Sequence, residues 1–234
     1  MELKKSAQDF LMYSYFGFDV QDLQEGKDCI KSNCVHKAYL DLNRTLSFDD
    51  GSAKTQKDKN KYRNKFQEEI ETIIIKGIDD YNRDNTFDEW HENTCDQLIL
   101  AAERSKNIDG NNLIKNGKKT NKQFNYGHAQ KWLNMTLKYF WILGILNENI
   151  SEEELHIPID NFILQAMYEN KNNKLDIKET SKYEQYKFND RTWSQLQKDD
   201  YIKIQKGVKD MISEPLIRWE GKAWIKMAKK RSNK

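Results

Sequence analysis

Two residues of this sequence combine type and setting in a way that could do chemistry: Lys131 and Asp160. Lys131 follows Asn125-Tyr126-Gly127-His128, predicted as a turn, and falls in the first turn of a long apolar helix predicted over 131–146. Asp160 follows His156-Ile157-Pro158-Ile159 and is a natural N-cap for a helix over 161–169. Singly, each has a plain explanation: a surface lysine at a helix start, and an ordinary cap. Together they suit a reaction. The N-terminal end of a helix carries partial positive charge, which disfavours an ammonium and favours a carboxylate. An apolar surround such as Trp132 and Met135 pushes Lys131 the same way, towards the neutral amine, which is a nucleophile. Asp160 is expected to stay ionised. Such an amine and carboxylate fit attack at a sugar carbon that acquires positive charge, Lys131 forming a Schiff base while Asp160 stabilises the charge.

The elements that must position this pair read as helices. Tyr139, Ile142 and Leu146 continue the stripe of Trp132 and Met135 at three- and four-residue steps, and Asn147-Glu148-Asn149 ends it. Ser151 and Glu154 form a capping box that predicts a short helix start. Pro158 keeps Ile157 out of the helical region, so the chain reaches Asp160 extended. Upstream, Leu11 to Phe18 is an aromatic-rich early helix or turn, and 49–63 is a polar loop or helix entry. Phe66, Ile70, Ile73, Ile74 and Ile78 mark a helix from Tyr62 onward. Thr86 and Glu89 make the capping box of the next, which carries Trp90. The segment 107–125, with two glycines, many asparagines and Lys115, Lys118, Lys119 and Lys122, is the clearest break. A polar stretch over 171–190 reads as a surface insertion. A helical pattern resumes over 193–211, and Glu214-Pro215 opens a last helix bearing Trp219, Ala223, Trp224 and Met227.

Composition narrows the classes. The 234 residues are 37% hydrophobic, 12% aromatic and 32% charged, with mean hydropathy -0.96. No apolar run approaches the ~20 residues of a spanning helix, and the aromatic content argues against disorder. Only 2 Pro and 10 Gly leave little material for the turns of a many-stranded β fold. The formal net charge of +2 means that any nucleic-acid footprint is local. Three cysteines, an odd number, and an N-terminus without an apolar leader core make the reduced cytoplasm the expected setting.

At Gln130-Lys131-Trp132, the apolar helix that follows, and His156-Ile157-Pro158-Ile159-Asp160, the chain resembles the helix-hairpin-helix DNA glycosylases, closest to the archaeal-type 8-oxoguanine DNA glycosylases. That branch has a lysine opening a long apolar helix and, about thirty residues on, an Ile-Pro-x-x-Asp-like segment. The resemblance implies that Lys131 is the Schiff-base nucleophile and Asp160 the helix-capping catalytic carboxylate. A weaker match lies at Pro215-Leu216-Ile217-Arg218-Trp219-Glu220, with Trp224 four residues after Glu220. There the family has Asp one residue closer to the proline. The match implies that Glu220 accepts from the N–H groups of the extruded base and that Trp224 stacks on it, with Trp90 as a second stacking residue. The family's Gly-x-Gly hairpin is reduced here to Gly127. Phosphate contacts are therefore expected from the helix start, at Gly127, His128 and Gln130, and from Lys118, Lys119 and Lys122.

The expectation is an all-α, two-lobed, glycosylase-like architecture with a cleft between lobes. Residues 62–160 build one lobe, and 1–61 with 161–234 build the other. The expected activity is excision of a modified base from double-stranded DNA, with possible AP-lyase action, in base-excision repair or in defence against modified phage DNA. No cofactor or metal is required, no membrane is involved, and a monomer is expected. Two other classes compete: a non-catalytic helical module that binds DNA or protein, and a HEPN-like ribonuclease using Arg83 and His91. Cys29, Cys34 and His36 include metal-capable side chains, but no second pair stands at a zinc spacing.

Overall fold

The computed structural model describes residues 4–114, 124–174 (side chains to 167) and 193–232. Among them the chain is all-helical, with nine α-helices: α1 (Lys5–Phe16), α2 (Val20–Glu25), α3 (Cys29–Leu42), α4 (Gln56–Asp79), α5 (Phe87–Arg104), α6 (Tyr126–Leu143), α7 (Asn161–Lys174), α8 (Lys198–Met211) and α9 (Leu216–Ser232). Extended pairing among the described residues is confined to two isolated bridges, Phe48 with Ile114 and Lys106 with Asn112. None of the described helices is long and apolar enough to cross a membrane. The Lys118, Lys119 and Lys122 loop and most of the expected 171–190 insertion lie outside the described residues.

Local chemistry sets the boundaries. On α4, Phe66, Ile70, Ile74 and Ile78 are buried at successive turns. The α5 box forms as expected: Thr86 N–H donates to Glu89 Oε2 at 3.1 Å, and Glu89 N–H donates to Thr86 Oγ1 at 3.3 Å. The central helix α6 is buried along most of its length and starts five residues before its expected first residue. Asn125 is its N-cap, and His128 Nδ1 accepts from the Asn125 N–H at 3.1 Å. The predicted turn is thus the first turn of the helix. Gly144 ends α6 in the left-handed region, at φ 69, which favours glycine. Ser151 and Glu154 make their box within a hydrogen-bonded turn that does not propagate into a helix. The 193–211 pattern divides into a 3₁₀ turn at Trp193–Gln195 and α8.

Buried apolar residues form one connected cluster from Phe18 to Met227. The helix α3 lies along α6 and also meets α4, while α7 pairs with α9. Its Ile30, Cys34, Val35, Ala38 and Leu42 are buried, and Trp132 of α6 donates to the Val35 carbonyl at 3.0 Å. The apolar face of α3 is filled by α4 and α6.

Candidate active site

The helix α6 carries Lys131 and Lys138 two turns apart, and therefore on one face. Each meets a carboxylate. Lys131 Nζ donates to Asp160 Oδ2 at 2.8 Å, with side-chain exposures of 6% and 13%. Lys138 Nζ donates to Glu220 Oε2 at 2.5 Å, with exposures of 16% and 2%. Asp160 is placed by its own helix: its Oδ1 accepts from the Phe162 N–H at 2.9 Å and the Ile163 N–H at 3.0 Å, the N-cap contacts of α7. Glu220 comes from α9. Burial raises its pKa above the ordinary carboxylate value, against the pull of Lys138 and Lys131, while Asp160 adds to the rise. The four groups therefore form one electrostatic cluster.

Aromatic rings frame it. Lys131 Nζ lies 5.9 Å from the centre of the Trp193 ring, within cation–π range. Trp224 is 40% exposed and stands edge-on to Phe162, 5.3 Å between centres at 62°. The Arg231 guanidinium lies 5.8 Å from the same Phe162 ring. Asp160 thus lies two residues before a ring shared by Trp224 and Arg231.

Beside the charged cluster runs a neutral one. Gln130 Nε2 donates to the carbonyls of Gly127 and Ile159 at 2.9 and 3.0 Å. Its Oε1 accepts from the Ile159 N–H at 3.1 Å. Asn134 Nδ2 donates to the Ile157 carbonyl at 3.1 Å and to the Tyr201 hydroxyl at 2.9 Å, and its Oδ1 lies 2.7 Å from His91 Nε2. His156 links the Tyr201 hydroxyl to Asp88, at 2.9 Å on each side. The backbone of the extended segment before Asp160 is therefore pinned by side-chain amides of α6.

Several expected contacts are corrected by this geometry. The Gly127 N–H already donates to the Leu196 carbonyl at 3.0 Å, and a Cβ there would stand 2.1 Å from the Trp193 carbonyl oxygen. Its lack of a side chain serves close backbone packing rather than phosphate binding. His128 is 2% exposed, and burial pushes its pKa down to about 4, so it offers no cation to DNA. Gln130 is fully buried and its amide is engaged internally. Trp90 is fixed in the α4–α5 corner, its Nε1 on the Gly77 carbonyl at 3.0 Å and its ring against Tyr81 and Phe87. Arg83 is exposed and donates to the Asn149 carbonyl, whereas His91 is fully buried against Asn134, so the two present no common surface to an RNA. Cys34 is a core residue whose thiol burial pushes up to about 12. Lys131, Asp160 and Glu220 are brought together with Lys138, while Trp224 lies one turn after Glu220 against Phe162.

Three contributors escaped the sequence reading. Lys138 carried a usable signal, its seven-residue step from Lys131. Trp193 and Asn134 carried none, because each acts through a partner distant in sequence. Comparison with family models, with curated proteins and with solved structures finds no match to this chain.

Proposed function

We propose that this protein is a DNA glycosylase that removes a modified base from duplex DNA through Lys131, assisted by Asp160. The observation that carries the reading is the buried 2.8 Å contact between Lys131 Nζ and Asp160 Oδ2. An amine and a carboxylate held together beside aromatic rings fit chemistry at an extruded nucleotide. In this reading the helices form a two-lobed arrangement, and the target nucleotide enters towards α6, the start of α7 and α9. The C1′–N bond breaks with its electron pair passing to the base. Asp160 faces the positive charge that develops at C1′. Nζ passes a proton to Oδ2 as it adds to C1′. The ring oxygen then takes a proton as the C1′–O4′ bond opens, leaving the Schiff base. Glu220, held by Lys138, meets the N–H groups of the base, and Trp224 stacks at the rim.

The test is a panel of modified duplexes, 8-oxoguanine and hypermodified cytosines included, with strand scission at abasic sites and borohydride capture as the two readouts. Wild type is expected to excise at least one base and to be captured covalently. Lys131→Gln is expected to bind the same duplex with no capture and at least a 10³-fold loss of excision. A wild type that excises but is never captured removes Lys131 as nucleophile and leaves a water activated by Asp160. A wild type that leaves every duplex intact overturns the reading.

A further inference from the structure

Gln130 and Lys131 are adjacent on α6, and so are their partners, Ile159 and Asp160, on the segment entering α7. The arrangement is a two-on-two clamp. Lys131 grips the Asp160 side chain, while Gln130 grips the Ile159 backbone at both its N–H and its C=O. That double contact makes Gln130 act like a neighbouring strand residue, which is unusual for a side chain projecting from a helix. The Gln130 amide is itself over-determined. Its Nε2 also reaches the Gly127 carbonyl, and its Oε1 also accepts from Asn134 Nδ2 at 3.2 Å. Asn134 in turn holds the Ile157 carbonyl, and Gln205 of α8 brackets the same residue, donating to its carbonyl at 2.6 Å and accepting from its N–H at 3.3 Å. The peptide units of Ile157 and Ile159, just before Asp160, are thus fixed by side-chain amides.

We infer that Gln130 is a positioning residue: it sets where the Asp160 carboxylate stands relative to Lys131 Nζ, and so sets the rate of the step between them. The inference rests on the glycosylase reading for its chemistry, but its mechanical half does not. A purely packing role would be served as well by any apolar side chain of the same length. A backbone grip with both a donor and an acceptor serves register instead. A displacement of about 1 Å at a reacting group is enough to cost on the order of 10²-fold in rate.

The experiment uses the full chain, an abasic duplex as probe, and Gln130→Met, which keeps the length and removes both hydrogen-bonding groups. Three quantities are read: the single-turnover rate of borohydride-captured adduct at saturating duplex, the duplex Kd, and hydrogen exchange at the Ile159 amide. The expected result is a rate about 10–100-fold lower with Kd within about threefold, a displaced pH–rate profile, and an Ile159 amide exchanging at least tenfold faster while the α4 core amides keep their protection. A wild-type rate in Gln130→Met overturns the inference. So does a loss that merely follows the unfolded fraction and leaves the pH profile unmoved. If Gln130→Met does not fold, Gln130→Asn, with the same groups on a shorter arm, is held to the same outcomes. If wild type itself yields no adduct, Lys131 is not the nucleophile, and Ile159 exchange alone decides whether Gln130 holds the segment.

Discussion

The two ion pairs on α6 are supported differently. Asp160 accepts from Lys131 with one oxygen and from two backbone N–H groups with the other. Its anion is stabilised by donors that the start of α7 supplies whether or not Lys131 is present. Glu220 stands inside α9, where backbone N–H groups are already used by the helix, and Lys138 holds its carboxylate. Burial there pushes the carboxyl towards its protonated form. The first carboxylate is held by backbone donors as well as by a lysine, and the second by a lysine. A helix N-terminus and a helix interior thus hold the same functional group with different donors.

The largest expected effect breaks the first pair. Asp160→Ala removes both the Lys131 partner and the α7 cap, leaving a buried ammonium without its counter-charge. It should cost about 3–5 kcal/mol of stability by urea unfolding. Asp160→Asn keeps a cap acceptor and should recover about 1 kcal/mol of that. A loss below about 1 kcal/mol for Asp160→Ala would mean that the pair is not what holds α7 against α6.

A smaller effect sharpens the contrast between these charged pairs and the imidazoles that burial keeps neutral. His128 is pushed down to about 4, and His91 well below its ordinary value. As pH falls below about 6.5 the unfolded chain takes up protons that the folded chain refuses, so the stability present above 6.5 is lost progressively towards pH 4. For His128 this amounts to about 3 kcal/mol between pH 7 and pH 4. Urea unfolding of His128→Gln across that range should show a shallower acid slope than wild type. An unchanged slope would assign the acid sensitivity elsewhere.

What the sequence disclosed follows the same division. The caps at Thr86 and Asp160 and the buried stripe of α4 were legible because each is written within a few neighbouring residues. Asp160 is legible as the cap of its helix, whereas Lys131, expected in the first turn, stands five residues after the start of α6. Gln130 grips Ile159, and nothing local in the sequence distinguishes such a glutamine from one facing DNA. The packing of Gly127 is hidden for a similar reason: the backbone that crowds it, at Trp193, is remote in the chain. Short-range rules locate helices and caps, but they do not say which buried polar groups meet across the core.

The smallest expected effect concerns the second pair, and its sign is the informative part. Because the folded Glu220 carboxyl holds its proton more tightly than the unfolded one, it favours folding below about 4.5, and that contribution is lost as pH rises through its folded value. Lys138 is the first of the influences that pull that value down. Lys138→Met should therefore extend the protonated window upward. Near pH 4.5 the variant should lie within about 1 kcal/mol of wild type, because Glu220 enters the interior neutral. With rising pH it should fall progressively behind, as folding then requires a buried carboxylate without its partner or a proton taken from an increasingly basic solution. Glu220→Gln in the Lys138→Met background removes the titrating group and should flatten the difference. A Lys138→Met deficit equal at pH 4.5 and pH 8 would show that Glu220 is held as a fixed anion, and the two pairs would then differ in position but not in kind.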